Sequence, residues 1–198
     1  MKALLLIDIQ NDFLPGGALA VANGNEVVPI ANRLMADYDL VVATQDWHPE
    51  GHGSFASQHP DHDVGEIVTL NGLDQILWPD HCVQGTSGAE FARELNTAGI
   101  DHVIQKGTDR NIDSYSGFFD NARRKATGME TYLREQQVDE VHVVGLATDY
   151  CVKFTALDAV DLGFKTSILM DGVRGVDLNE GDCQRAIDEM KAAGIAVA

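Results

Sequence analysis

Residues 141–163 read VHVVGLATDYCVKFTALDAVDLG, and this stretch decides how the rest of the chain is read. VHVVG is a valine-rich run closed by glycine, the pattern of a buried parallel strand, whereas Val152, Ala156, Leu157, Ala159 and Val160 recur at helical spacing. LATDY bridges the two, with Thr148 or Asp149 available as helix N-cap. A strand passing directly into a helix is the repeating unit of an α/β fold. Cys151 then falls in the first helical turn, where unpaired N–H groups and the positive end of the helix dipole favour a thiolate. A lone cysteine is ordinarily inert packing. Its role therefore depends on which groups join it.

Working outward, β-branched apolar runs recur at 3–9 (ALLLIDI), 39–44 (DLVVAT), 102–106 (HVIQK), 140–145 (EVHVVG) and 165–171 (KTSILMD), with GIAVA as a last candidate. Helical patterns at 25–37, 126–136, 149–162 and 180–193 separate most of them. This alternation predicts right-handed crossovers and a mainly parallel sheet covered on both faces, a three-layer α/β/α sandwich. One connection breaks the rhythm. Between the second and third strands runs a long segment rich in Gly, His, Pro and Asp, with helical periodicity only near 88–97, and loops of such length are usually functional. The 198 residues, 44% hydrophobic, suit a single domain over 1–198 that carries this insertion at about 46–90.

Fourteen Lys and Arg stand against 31 Asp and Glu, a net charge of -17. That charge repels phosphate backbones and anionic lipid, so nucleic acid and membrane are poor partners. Nothing in the composition opposes a small-molecule substrate or a homo-oligomer. The three cysteines, Cys82, Cys151 and Cys183, show no paired spacing. The opening MKALLLIDI is interrupted by Asp8 before a signal-peptide core could form, so it reads as a first strand. Both observations favour a reducing, cytoplasmic setting.

Ligands of open parallel sheets collect beyond the carboxyl ends of the strands. Here strand one ends at Asp8, strand two at Asp46, strand three at Lys106 and strand five at Asp171, while strand four leads to Cys151. Asp, Lys and Cys are the parts needed to attack an amide carbonyl through a covalent intermediate. Reference pKa values make proton transfer from Cys to Asp uphill by about 4.6 units, or roughly 6 kcal/mol. An ammonium ~4 Å from the sulfur offsets up to ~4 kcal/mol, and a helix N-terminus adds ~0.3–2 kcal/mol. Burial that raises the Asp8 pKa closes the remainder.

The insertion opens with Asp46-Trp47-His48 and continues to His52 and to His81 in WPDHC. In an extended segment residues i and i+2 face one side, so Asp46 and His48 reach one ion. One carboxylate with two or three imidazoles suits one divalent metal ion such as Zn, Fe or Mn. His59 and His62, in ASQHPDHD, stay open as alternatives to His52. His52 is preferred because that later stretch reads as a solvated, Pro-bounded loop. His102 and His142 begin strands, at the far end of the sheet, and read as structural or surface residues.

With these residues assembled, the chain resembles the nicotinamidase (pyrazinamidase) branch of the isochorismatase-like cysteine hydrolases. The resemblance is carried by LLLIDIQNDFLPGGALAV at 4–21, TQDWHPEGHGSFA at 44–56, WPDHCVQGT at 78–86, KG at 106–107, DSYSGFFDN at 113–121 and GLATDYCVKFTALDA at 145–159. It implies a six-stranded, Rossmann-like sheet of order 3-2-1-4-5-6, a catalytic triad of Asp8, Lys106 and Cys151, and metal ligands Asp46, His48, His52 and His81. It also implies a cis peptide at Leu146-Ala147 that turns the Ala147 and Cys151 N–H groups into an oxyanion hole. Phe13, Trp78 and Tyr115 would wall the substrate pocket, with Tyr150 beside the nucleophile where relatives carry His. The implied activity is hydrolysis of nicotinamide to nicotinate and ammonia through a cysteine thioester, in NAD salvage, with pyrazinamide as a further substrate.

Overall fold

The computed structural model describes residues 1–198. Its elements in chain order are β1 (Lys2–Ile7), α1 (Val27–Met35), β2 (Leu40–Asp46), β3 (Ile67–Leu70), β4 (Leu73–Ile76), β5 (His102–Lys106), α2 (Met129–Glu135), β6 (Glu140–Leu146), α3 (Lys153–Asp161), β7 (Lys165–Arg174), α4 (Asp182–Ala192) and β8 (Ala196–Val197). The main sheet has the order β5-β2-β1-β6-β7-β8 with every pairing parallel. Leaving aside the separate hairpin β3–β4, that is the expected order 3-2-1-4-5-6. The chain reverses direction across the sheet between β1 and β6, and a crevice opens there at the strands' carboxyl ends.

Why the strands read as continuous apolar runs is visible in their packing. Ala3, Leu5 and Ile7 of β1, Leu40 and Val42 of β2, and Val141 and Val143 of β6 face one core, completed by Met129 and Leu133 of α2, Ala156 and Ala159 of α3, and Met190 of α4. The alternate residues Leu4 and Leu6, Val41 and Ala43, and Val144 and Leu146 face a second core, completed by Val27, Val28, Ala31 and Met35 of α1 and by Ala89, Ala92 and Leu95. With both faces buried, the two-residue period has no polar side to reveal. Helices cover one face, while α1 and part of the insertion cover the other.

Gly145 sits where the β6–β7 register shifts. Its φ is 121°, and a Cβ there would lie 2.1 Å from the carbonyl oxygen of Ile7. Only glycine lets β6 press so closely on the end of β1, next to Asp8.

Three sequence expectations change, and one element appears that the sequence reading lacked. The 88–97 stretch forms no α-helix, only short 3-10 turns at Ser87–Ala89 and Thr97–Gly99; Ala89, Ala92 and Leu95 are buried by docking an irregular segment on the sheet. Asp171 does not end its strand, because β7 continues to Arg174 and leaves Asp171 exposed. The hairpin β3–β4 was not foreseen; its short runs turn through Asn71 and Gly72, both at positive φ. Finally, neither Thr148 nor Asp149 caps a helix. Residues Thr148–Val152 form a π-helical turn ahead of α3 with no side-chain cap, Val152 N–H donating to Ala147 O at 3.1 Å. The Asp149 carboxylate instead accepts the N–H groups of Val176 and Asp177 at 3.0 and 2.8 Å, tying the loop after β7 to this turn.

Candidate active site

Asp8 stands one residue beyond β1 in the left-handed region, φ 47°. Its N–H donates to Thr44 Oγ1 at 3.1 Å, and the Thr44 hydroxyl donates to Asp8 Oδ1 at 2.6 Å. Lys106 ends β5 directly opposite Asp46 in the β2–β5 register. Its ammonium, 1% exposed, donates to Asp46 Oδ1 at 2.5 Å and to Ser114 O at 2.8 Å, and lies 2.9 Å from Asp8 Oδ2. Cys151 Sγ is 3.4 Å from the same nitrogen. One acidic atom each of Asp8 and Asp46 and the Cys151 sulfur lie within 4.8 Å of one another. Three strand ends thus deliver carboxylate, ammonium and thiol to one point.

Burial disfavours the charged form of Lys106, but Asp46 and Asp8 outweigh it and hold the ammonium above its ordinary range. Burial raises Asp8, against the pull of Lys106. It also pushes the Cys151 thiol well up; Lys106 opposes this, while Asp8 and Asp46 add to it. The resting thiolate expected from the helix start is therefore corrected. A nearly dry site with two carboxylates favours the thiol over the thiolate. Asp8 Oδ2 is buried with no aligned hydrogen bond, its neighbour being the Lys106 ammonium.

The second cluster shares Asp46. His48 Nε2 and His81 Nε2 lie 3.7 and 4.0 Å from Asp46 Oδ2. The rings are oriented from behind: His48 Nδ1–H donates to Gly107 O at 3.0 Å and His81 Nδ1–H to Pro79 O at 2.8 Å. A carbonyl only accepts, so each Nδ1 holds the proton and each Nε2 turns a lone pair inward, the usual arrangement behind a metal-binding imidazole. His48 Nε2 is buried without a hydrogen-bond partner, an expensive state unless something ligates it. Burial brings His81 down to about 4, keeping it neutral as a ligand must be. Burial disfavours ionised Asp46 as well, but the charges around it, Lys106 foremost, hold it below the carboxylate range. This donor set fits a divalent ion of the zinc, iron or manganese type. Gly107 is required by it: with φ 65°, a Cβ there would meet His48 Cε1 at 2.5 Å.

His52 stands beside this trio rather than within it. Its ring centroid is 4.5 Å from that of His48, its Nε2 points at Ile112 O at 3.3 Å, and its Nδ1 faces Ser54 Oγ at 2.7 Å. It clusters with His48 and Asp113. The alternatives separate clearly: His59 Nε2 bonds Gly53 O, and exposed His62 pairs with Glu66. His102 stacks on Tyr132 and His142 bonds the Tyr38 hydroxyl, away from the cluster.

Both clusters reach one cavity, the first through Cys151 and the second through Asp46 and His81, lined also by Phe13, Trp78, Tyr115, Ala147 and Tyr150. Trp78 meets Tyr150 edge-on at 4.9 Å and donates its indole N–H to Tyr115 Oη at 3.2 Å. Burial, then Asp149, pushes the Tyr150 hydroxyl up to about 12, so it stays neutral. The Leu146-Ala147 peptide is cis, as the resemblance implied.

Sequence reasoning missed several contributors. Leu19, Asp113 and Val176 also line the cavity, and Phe55 packs among His48, His52 and His81 at 5.5–5.6 Å. Gln10 pins Asp46 by accepting its N–H and donating to its carbonyl, both at 2.8 Å. The direct Lys106–Asp46 pair, which joins the two clusters, was missed too. Asp113 and Phe55 lie inside conspicuous motifs, and Thr44 shares a strand face with Asp46; Leu19 and Val176 carry no chemical signal.

Comparison with known proteins agrees with this geometry. The isochorismatase domain model matches residues 2–198. The nicotinamidase of Escherichia coli strain K12 is 50% identical over 199 aligned residues, covering 98% of this chain and 92% of its own. A solved nicotinamidase/pyrazinamidase of Acinetobacter baumanii superposes with a TM-score of 0.96 at 45% identity, covering 99% of this chain and 94% of its own. The pyrazinamidase of Pyrococcus horikoshii, solved in complex with zinc, superposes with a TM-score of 0.80 at 38% identity over 100% of this chain and 98% of its own. A match that runs almost end to end means that this chain belongs to the isochorismatase domain family.

Proposed function

We infer that this chain is an amidohydrolase that converts nicotinamide to nicotinate and ammonia, within NAD salvage, and that it also takes pyrazinamide. The observation that carries this reading is one aromatic cavity onto which the Asp8–Lys106–Cys151 cluster opens through Cys151 and the Asp46–His48–His81 cluster through Asp46 and His81. An amide carbon facing the sulfur leaves the rest of a small ring between Phe13, Trp78, Tyr115 and Tyr150, within reach of the imidazoles. The relatives' nicotinamidase activity points the same way.

Cys151 gives its proton to Asp8 Oδ2 as its sulfur bonds the carboxamide carbon, and the carbonyl electron pair moves onto oxygen. The N–H groups of Ala147 and Cys151 receive that charge; one such donor is worth ~2.7–4 kcal/mol in other enzymes. Collapse of the adduct breaks the C–N bond, and the leaving nitrogen takes the proton from Asp8, departing as ammonia. Asp8 then accepts a proton from water as its oxygen attacks the thioester. The C–S bond breaks, nicotinate forms, and sulfur regains the proton. Throughout, Lys106 keeps the charge of two carboxylates and a transient thiolate tolerable in a buried site. Asp46, His48 and His81, with His52 alongside, would hold one divalent ion, zinc, iron or manganese, whose chemistry here is to anchor the pyridine nitrogen. Residues 1–198 act as one hydrolase domain with 46–90 as its metal-binding insertion, and free thiols suit a cytoplasmic enzyme.

The test is ammonia release from nicotinamide by metal-loaded wild type beside Cys151→Ala. Removing the nucleophile is expected to lower kcat at least ~10⁴-fold with an unchanged melting temperature. Equal release by both proteins refutes the mechanism.

A further inference from the structure

We propose that Thr44 is a positioning residue of this site: its hydroxyl locks Asp8 with Oδ1 engaged and Oδ2 left facing Lys106 and Cys151. The proposal rests on the hydrolytic mechanism above and adds to it the group that selects which carboxylate oxygen carries the proton.

Four observations on the structure support it. Asp8 follows the last residue of β1 at φ 47°, a conformation that few non-glycine residues adopt and that needs local support. Thr44 supplies support from two sides, accepting the Asp8 N–H at 3.1 Å and donating to Asp8 Oδ1 at 2.6 Å, so one hydroxyl braces backbone and side chain together. Both residues are 0% exposed, which leaves no water to substitute. The hydroxyl is itself aimed by packing. A Cβ at Gly117 would lie 2.8 Å from the Thr44 methyl, so that methyl already fills the space beside Gly117. Gly117 is in turn held by its N–H to Thr155 Oγ1 at 2.9 Å and by the Thr127 hydroxyl on its carbonyl at 2.6 Å.

The consequence is a division of labour within one carboxylate. Oδ1 has a strong neutral donor and cannot turn toward the sulfur without breaking it. Oδ2 lies 2.9 Å from the Lys106 ammonium without an aligned hydrogen bond, and is the oxygen free to exchange a proton with the thiol. Without the hydroxyl, Asp8 can rotate about χ1 and χ2, and misplacing a reacting group by about 1 Å costs on the order of 10²-fold in rate. Substrate contacts are untouched, so the loss belongs in kcat and not in KM.

The test compares wild type, Thr44→Ser, Thr44→Ala and Thr44→Val, all metal-loaded, by kcat and KM for nicotinamide, by melting temperature, and by the rate at which iodoacetamide alkylates Cys151, read on the Cys151 peptide by mass spectrometry. Thr44→Val, which keeps the shape and removes the hydroxyl, is expected to lose about 10- to 100-fold in kcat with KM within about twofold. Thr44→Ser, which keeps the hydroxyl, is expected to exceed Thr44→Ala by at least about tenfold in kcat. That second pair decides the matter if Thr44→Val fails to fold. Equal kcat for Thr44→Ser and Thr44→Ala, or a loss confined to KM, overturns the proposal. If wild type releases no ammonia from nicotinamide, the substrate assignment fails by itself. The alkylation rates then decide: slower alkylation in Thr44→Ala than in Thr44→Ser upholds Thr44 as the brace on Asp8, and equal rates overturn it.

Discussion

The two halves of the site are built by opposite means. Asp8, Lys106 and Cys151 sit at or just beyond the ends of β1, β5 and β6, where continuous parallel pairing sets their positions. His48, His52 and His81 hang on the insertion between β2 and β5, which contributes one short hairpin and otherwise 3-10 turns and isolated bridges such as His48 to Val83 and Phe55 to Trp78. In the strand-end half, buried charges face one another, and even Asp8 Oδ2, which has no aligned hydrogen bond, lies 2.9 Å from the Lys106 ammonium. In the insertion half, three imidazoles crowd around Phe55 and a buried nitrogen has no partner. The sheet is thus self-sufficient, and the insertion is organised around a group it has to recruit. Lys106–Asp46, paired across β2 and β5, is the joint between them.

Breaking that joint should have the largest effect. Lys106→Met removes a buried cation from between two carboxylates, and stranding buried charge costs about 3–5 kcal/mol. We expect activity to vanish and denaturant unfolding to show a loss of that size in the metal-free protein, with a smaller loss in the metal-loaded one, since bound cation then offsets Asp46. An identical loss in both forms would separate the halves and refute their coupling.

Chelation should come next. If the insertion depends on its ion, removing metal costs about 2.7 kcal/mol relative to protein held at a hundredfold excess over Kd. Hydrogen exchange should accelerate in residues 46–90 while β1 and β6 stay protected. Uniform acceleration across the sheet would show that the ion stabilises the whole fold and not its insertion. The smallest contrast lies within the histidines. His48→Ala should lower metal affinity by at least about tenfold, and His52→Ala by less, because His52 already spends its ring nitrogens on Ile112 and Ser54. Equal losses, measured by metal titration, would make His52 a full ligand and require its ring to reorient.

Much of this was legible in the residues, and the reasons differ by region. The β–α alternation was readable because both faces of the sheet are covered, which turns each strand into an uninterrupted apolar run. Asp8, Lys106 and Cys151 were legible because a parallel sheet places strand ends on one side whatever their separation in the chain. The insertion was legible only in its residue types, one carboxylate and several imidazoles. Segment 88–97 has helical spacing of apolar residues but is held extended and looped by docking on the sheet, a tertiary gain that exceeds the local preference. Asp171 failed as a strand end because β7 runs on through a register irregularity that no local pattern announces.

The sequence by itself determined the layer order, the reactive groups and the chemistry open to them, since these follow from local periodicity and residue type. Tertiary structure alone decided the charge states and the couplings. Whether Cys151 rests as thiol or thiolate depends on burial and on two carboxylates brought from distant strands. Which oxygen of Asp8 is free depends on a hydroxyl one strand away, and the ion pair joining both halves exists only because β2 and β5 pair in the register that sets Asp46 opposite Lys106. Desolvation and Coulomb terms act through space over a few ångströms, and that proximity is created by the fold.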